Sequence, residues 1–144
     1  MIMSNFSDEQ IDKIWRKGRT LDGWNSDEYR LDAAGAMMVK SHRGKYDSYD
    51  WEIDHVLSKK KMKELGIPEE EWDNDDNLRP FNAKNNNRKS DDYPTYTRAL
   101  VFDEDKKRNV PSEIEKVVNE DVQRAINKCY GLRNKIVLGD HSLD

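Results

Sequence analysis

Trp51-Glu52-Ile53-Asp54-His55-Val56 lies in a strand read over 51–57, whose regular alternation would put Glu52 and Asp54 on one face, and it carries an Asp-His pair. Farther along come Asp76-Asn77-Leu78-Arg79-Pro80-Phe81-Asn82 and Asn85-Asn86-Asn87-Arg88-Lys89-Ser90-Asp91. The first of these reads as a brief strand over 77–81 and the second as part of a short helix over 82–91, halted before Pro94. Two strands and a helix in that order make a compact unit, and the rest of the chain is read outward from it.

Upstream, Ser7-Asp8-Glu9-Gln10 is a capping box, with Phe6 and Ile11 placed as a hydrophobic staple. Ile11, Ile14 and Trp15 line one face of the helix that follows, and Gly18 stops it. Turn residues dominate 21–29. Ala36 to Lys40 reads as a strand that turns through Arg43-Gly44-Lys45 and returns towards Trp51 as a hairpin. Between the two core strands, 58–65 reads as a basic helical turn ending at Gly66, and Pro68 opens a short helix through Trp72. Downstream, 95–102 reads as one strand. Ser112 with Glu115 forms a second capping box, and Ile114, Val117, Val118, Val122, Ala125, Ile126 and Cys129 predict a long last helix closed by Gly131. The tail over 134–144 carries no assignment. The class expected is α+β, a single domain over 1–144.

The chain has 144 residues, enough for one domain with a real core. Its 25 basic and 29 acidic residues give a formal net charge of −4, so any nucleic-acid contact must come from a local patch. The one cysteine, Cys129, excludes an internal disulfide and a cysteine-rich zinc cage. No apolar run approaches the ~18 residues of a membrane span, and the first residues show no basic segment followed by an apolar one. Cytoplasmic residence without membrane contact is the expectation.

The Asp-His pair, the lone Asn77, and an Asn three residues before Lys89-Ser90-Asp91 together resemble the HNH (ββα-metal) nuclease family, in the variant whose last His is Asn. The flanking Trp51-Glu52-Ile53-Asp54-His55 is similar to small stand-alone bacterial and phage members, and a similar Asp-His, Asn, Asn set occurs in the HNH domains of RNA-guided CRISPR nucleases. The resemblance covers about Trp51 to Pro94. It implies a ββα-metal core flanked by the N-terminal helix and hairpin and by the long C-terminal helix. It also implies a DNA endonuclease in which His55 is the general base, Asp54 and Asn86 hold a divalent metal, and Asn77 ties the loop and steadies His55. The run Asn85-Asn86-Asn87 leaves the register open; the family's Asn-x-x-Lys-Ser/Gly-Asp frame selects Asn86. In place of the family's Gly-Gly loop stands a charged insert over 59–76, Asn82 stands where many relatives have His or Cys, and no Cys pairs exist for an accessory zinc.

The chemistry suits those residue types. An imidazole titrating near pH ~6.5 can take a proton from water. Mg²⁺ or Mn²⁺ needs few protein oxygens beside waters and substrate phosphate, and Asp54 with Asn86 supplies such a sparse set; no structural zinc is expected. Adjacent strand residues point to opposite faces, so Asp54 and His55 can serve one phosphate only where the strand ends or bulges. Asn82 and Asn86 share a helix face with Lys89 beyond them.

Other residues carry two readings. Lys59-Lys60-Lys61-Met62-Lys63, with Arg79, Lys84, Arg88 and Lys89, forms either a phosphate-tracking stripe for DNA or solvated surface. The insert over 64–76 holds seven acids and no base, which reads as solvated or as a partner for the neighbouring lysines. Glu52 is an additional metal ligand or, more ordinarily, a salt-bridge partner. His42 and His141 read as loop and tail residues, and the four tryptophans as core rather than base-stacking platforms. Two function classes stand: a metal-dependent DNA endonuclease, and a catalytically inactive nucleic-acid-binding module on the same fold.

Overall fold

The computed structural model describes residues 6–138. Residues 1–5 and 139–144, with His141 and the end of the tail over 134–144, lie outside them. The class is mixed α+β, with four helices and four separate two-stranded antiparallel sheets among the described residues.

Helix α1, Asp8–Trp15, begins where the sequence places it. Ser7 accepts from the Gln10 amide, Gln10 reaches back to the Ser7 N–H, and Ile14 and Trp15 are buried. Strand β1, Tyr29–Leu31, pairs with β2, Met37–Val39. This corrects the expected hairpin: β2 turns back on the segment before it and not towards Trp51. The tight Asp32–Ala36 connection explains the choice, since the Asp32 carboxylate accepts the Ala36 N–H at 2.8 Å and Gly35 takes a left-handed φ of +97°.

Strand β3, Trp51–His55, is followed by α2, Lys59–Glu64, and, after the insert, by β4, Leu78–Asn82, and α3, Ala83–Lys89. β3 and β4 pair in register, Trp51 opposite Asn82, Asp54 opposite Arg79 and His55 opposite Leu78. α3 packs on both strands. Its start is fixed by Asn82, whose side-chain oxygen accepts the Lys84 and Asn85 amides while its Nδ2 donates to the carbonyls of Met37 and Ser48. Asn82 is thus a helix cap and a tie to β2.

The C-terminal third departs most from expectation. The single strand over 95–102 is two, β5, Thr95–Thr97, and β6, Leu100–Asp103. β6 pairs with β7, Arg108–Pro111, and β5 with β8, Glu115–Val117. The long last helix is therefore corrected to α4, Glu120–Cys129, capped by Asn119. Ser112 does not cap a helix; its Oγ accepts from Arg98 Nε at 3.0 Å. The β-branched residues around 114–118 satisfy a strand as well as a helix, and pairing with β5 decides the matter.

One core cluster joins Val56, Leu57, Met62, Phe81, Tyr96, Val118 and Ile126 beneath the β3–β4 hairpin. A second holds Trp15, Met38 and Trp51, the two indoles 5.1 Å apart. Full burial of a side chain such as Phe81 contributes about 1.5–3 kcal/mol. Both clusters clamp the strand ending at Asp54 and His55.

Candidate active site

β3, α3 and the start of α2 enclose an open groove of about 370 Å³ whose lining includes Glu52, Asp54, His55, Lys59, Asn86 and Asp91. A larger cleft of about 520 Å³ between the chain after α1, β4 and α4 is lined mainly by aliphatic carbon, from Val56, Leu78, Pro80, Val122 and Ala125, and contains no imidazole.

Asp54 and His55 share the groove because the strand ends there. Beyond His55 the chain is held by Asn77: the Val56 N–H donates to the Asn77 carbonyl at 2.9 Å, the Leu57 N–H donates to Asn77 Oδ1 at 2.7 Å, and Asn77 Nδ2 donates to the Leu57 carbonyl at 3.0 Å. Asn77 is wholly buried. It touches no groove group among these contacts and acts as a clasp on the backbone that presents His55.

The side chain of His55 is 12% exposed, and its Nε2 lies 2.7 Å from Oδ1 of Asp73. Asp73 belongs to the acidic insert that the sequence reads as solvated. That reading needs correcting in part: Asp73 meets the ring of His55, and Asp75 pairs with Lys17 of the chain after α1 at 3.3 Å, not with the lysines next to it in sequence. No local signal marks Asp73, which stands eighteen residues from its partner.

Asp54 is buried and faces two cations. Arg79 Nε donates to its Oδ2 at 3.3 Å and Lys89 Nζ to its Oδ1 at 3.5 Å. Lys89 also donates to the Val56 carbonyl at 3.0 Å. The Arg79 guanidinium lies 4.5 Å above the Phe81 ring. Burial pushes the Lys89 ammonium below the ordinary lysine range, and the Asp54 carboxylate acts against that fall. The assignment of Arg79 and Lys89 to a surface stripe is corrected accordingly. Lys89 has 0% exposure, and both bases are buried partners of Asp54 outside the groove lining. Cationic heads this deep persist because the carboxylate and the backbone carbonyls replace their water.

The three asparagines separate cleanly. Asn85 is buried and fully engaged: its Oδ1 accepts the Ala99 and Leu100 N–H groups at 2.7 and 2.8 Å, and its Nδ2 donates to Asp32 and to the Leu100 carbonyl. Asn86 lines the groove together with Glu52. Asn87 is exposed at the groove edge. Withdrawal of water raises the Glu52 carboxyl above the usual range, the Asn86 amide opposes the rise, and the charges of Asp50 and Asp54 add to it. Glu52 thus shares the groove with the Asn86 amide, where the sequence favoured a salt-bridge partner.

Of the remaining basic residues, Lys59, Lys60 and Arg88 are exposed, and Lys61 is half-buried with its ammonium donating to the Tyr93 carbonyl at 3.0 Å. His42 pairs with Asp47 at 2.8 Å, away from the groove. Trp15 and Trp51 are core.

The groove lining carries carboxylate oxygens from Glu52, Asp54 and Asp91 and amide oxygens from Asn86 and Asn87, of which Asp54 and Asn86 are the candidate ligands. Among the described residues no three His, Cys, Asp or Glu side chains are grouped to hold a metal ion. Such a set suits a hard cation that draws most of its shell from water and phosphate. The contacts of Arg79 and Lys89 to Asp54 are longer than the ~2.7–2.9 Å of tight charge-assisted pairs, and a carboxylate offers about four lone-pair positions. These two contacts alone do not exhaust the acceptor positions of a carboxylate. No family model, curated protein or solved structure matches the chain. Among the described residues no helix is long and apolar enough to cross a membrane.

Proposed function

We propose that the chain is a metal-dependent endonuclease of the HNH type that hydrolyses DNA phosphodiester bonds. The observation that carries this reading is the meeting in one groove of Asp54 and His55, from the end of β3, with Asn86, from α3. Hydrolysis needs a base for the attacking water and positive charge on the phosphorane-like state. His55 is the base. Asp54 and Asn86 would hold one Mg²⁺ or Mn²⁺, which when bound polarises the scissile phosphate and relieves charge on the leaving oxygen. Asn77 fixes the backbone on which His55 sits. Arg79 and Lys89 hold the Asp54 carboxylate in place. Lys59, at the groove mouth, lies where a flanking phosphate would approach.

The test is conversion of supercoiled plasmid to nicked or linear DNA by the purified chain in Mg²⁺ or Mn²⁺, and its abolition by EDTA. A second reading, an inactive nucleic-acid-binding module, draws on the fact that each Asp54 oxygen already faces a cation. Absence of product under every divalent metal, with DNA still bound, would select it.

DNA affinity is expected to reside in the exposed bases. Lys60→Gln with Arg88→Gln should weaken binding at low salt and lower the slope of log affinity against log salt by about 1–2, roughly one per lost phosphate contact. An unchanged slope, measured by fluorescence anisotropy, excludes these two residues from the interface.

A further inference from the structure

We propose that Asp73 is the positioning residue of this site: its carboxylate holds the Nε2–H of His55 and leaves Nδ1 as the nitrogen that accepts the proton of the attacking water. The proposal rests on the reading of His55 as a base and adds to it a partner supplied by the acidic insert.

A neutral imidazole carries one N–H, and whichever nitrogen meets a strong acceptor carries it. Asp73 Oδ1 stands 2.7 Å from Nε2, and a carboxylate is an acceptor only. The proton is therefore on Nε2, and the lone pair is on Nδ1. When a proton passes from water to Nδ1, hydroxide forms and the ring becomes an imidazolium, whose Nε2–H is already held by the Asp73 charge. A carboxylate in that place fixes ring orientation and stabilises the cation as it forms, as outer partners of functional histidines do.

The insert is built to keep Asp73 there. Trp72, its neighbour, donates its indole N–H to the Ile67 carbonyl at 2.9 Å. The Tyr130 hydroxyl, just past α4, donates to the Glu71 and Trp72 carbonyls at 2.9 and 3.3 Å. On the other side Lys17 Nζ donates to the Asp75 carbonyl at 2.6 Å. Asp73 is thus bracketed by ties to two helical regions, while its own carboxylate is half-exposed. A side chain whose sole task was solubility would need no such bracing.

The experiment reads the ring directly. Chain labelled with ¹⁵N should show His55 in the Nε2–H tautomer by long-range ¹H–¹⁵N correlation, and Asp73→Ala should show a mixture of both tautomers with the fold intact. In plasmid cleavage with Mg²⁺, Asp73→Ala should lower kcat about 10–100-fold, with KM for DNA little changed; Asp73→Glu should restore part of the rate. A parent ring in the Nδ1–H tautomer overturns the assignment, whether or not the chain cuts DNA. An Asp73→Ala variant that cuts as fast as the parent, or faster, overturns it too, the latter by showing that Asp73 masks the base. A parent that cuts nothing refutes the endonuclease reading instead, and the tautomer measured on the same sample still decides what Asp73 does to the ring.

Discussion

His55→Ala should slow DNA hydrolysis about 10²–10⁴-fold while leaving DNA binding and metal binding close to those of the parent. That loss corresponds to about 2.7–5.5 kcal/mol of transition-state stabilisation. The separation of rate from binding follows from where the ring lies. His55 is at the last position of β3, held through its backbone by Asn77 and through Nε2 by Asp73, and it carries no part of the core. Its removal leaves Asp73 half-exposed to water, so no buried charge is stranded. Asp54, Asn86, Lys59 and Arg88 remain in place to engage cation and phosphate. Single-turnover rates and anisotropy on the same DNA separate the two quantities, and a His55→Ala variant as fast as the parent removes His55 from the chemistry.

Asn85→Ala should be the most damaging single change to the fold, costing about 3–5 kcal/mol. It strips acceptors from two backbone N–H groups, Ala99 and Leu100, each costing about 1–3 kcal/mol when left unsatisfied in the interior. It also removes a donor to Asp32, a buried carboxylate that otherwise accepts from the Ala36 and Asn82 amides. Those contacts join the β1–β2 connection, the cap of α3 and the entry to β6 in one polar knot. For a domain whose total stability is on the order of 5–15 kcal/mol, the midpoint of urea unfolding should fall steeply. Asn87→Ala, two positions on and exposed, should change the stability by less than about 0.5 kcal/mol and barely move the midpoint. Equal midpoints for the two variants would contradict the division of roles among the three asparagines.

Much of the unit that positions the groove was legible because its signals are local. The alternation through Asp54 gives β3, Asn82 gives the start of α3, and the Ser7 and Gln10 box gives α1. What escaped reading depends on contacts between distant segments. The Ser112 to Cys129 pattern satisfies helix and strand alike, and only the pairing of Glu115–Val117 with Thr95–Thr97 chooses. Charge in a sequence carries no depth, so Arg79 and Lys89 read as surface bases although a buried carboxylate and carbonyls have replaced their water. Asp73 read as one acid among seven because only the fold brings it to His55. Asn86 is the reverse case: the sequence left three neighbouring asparagines to choose from, and the geometry gives Asn85 to the interior and Asn86 to the groove.

A metal titration of plasmid cleavage, run in parallel on the parent and on Asp54→Ala, tests the one-metal site most directly. The parent should cut in Mg²⁺ or Mn²⁺ and stop in EDTA. Asp54→Ala should require a much higher metal concentration and recover part of the rate as that concentration rises, because the substitution removes the only carboxylate at the end of β3 that would anchor the cation. Cleavage by the parent that persists in EDTA, or an Asp54→Ala curve that overlays the parent's, would contradict the assignment of Asp54 and with it the metal-dependent mechanism.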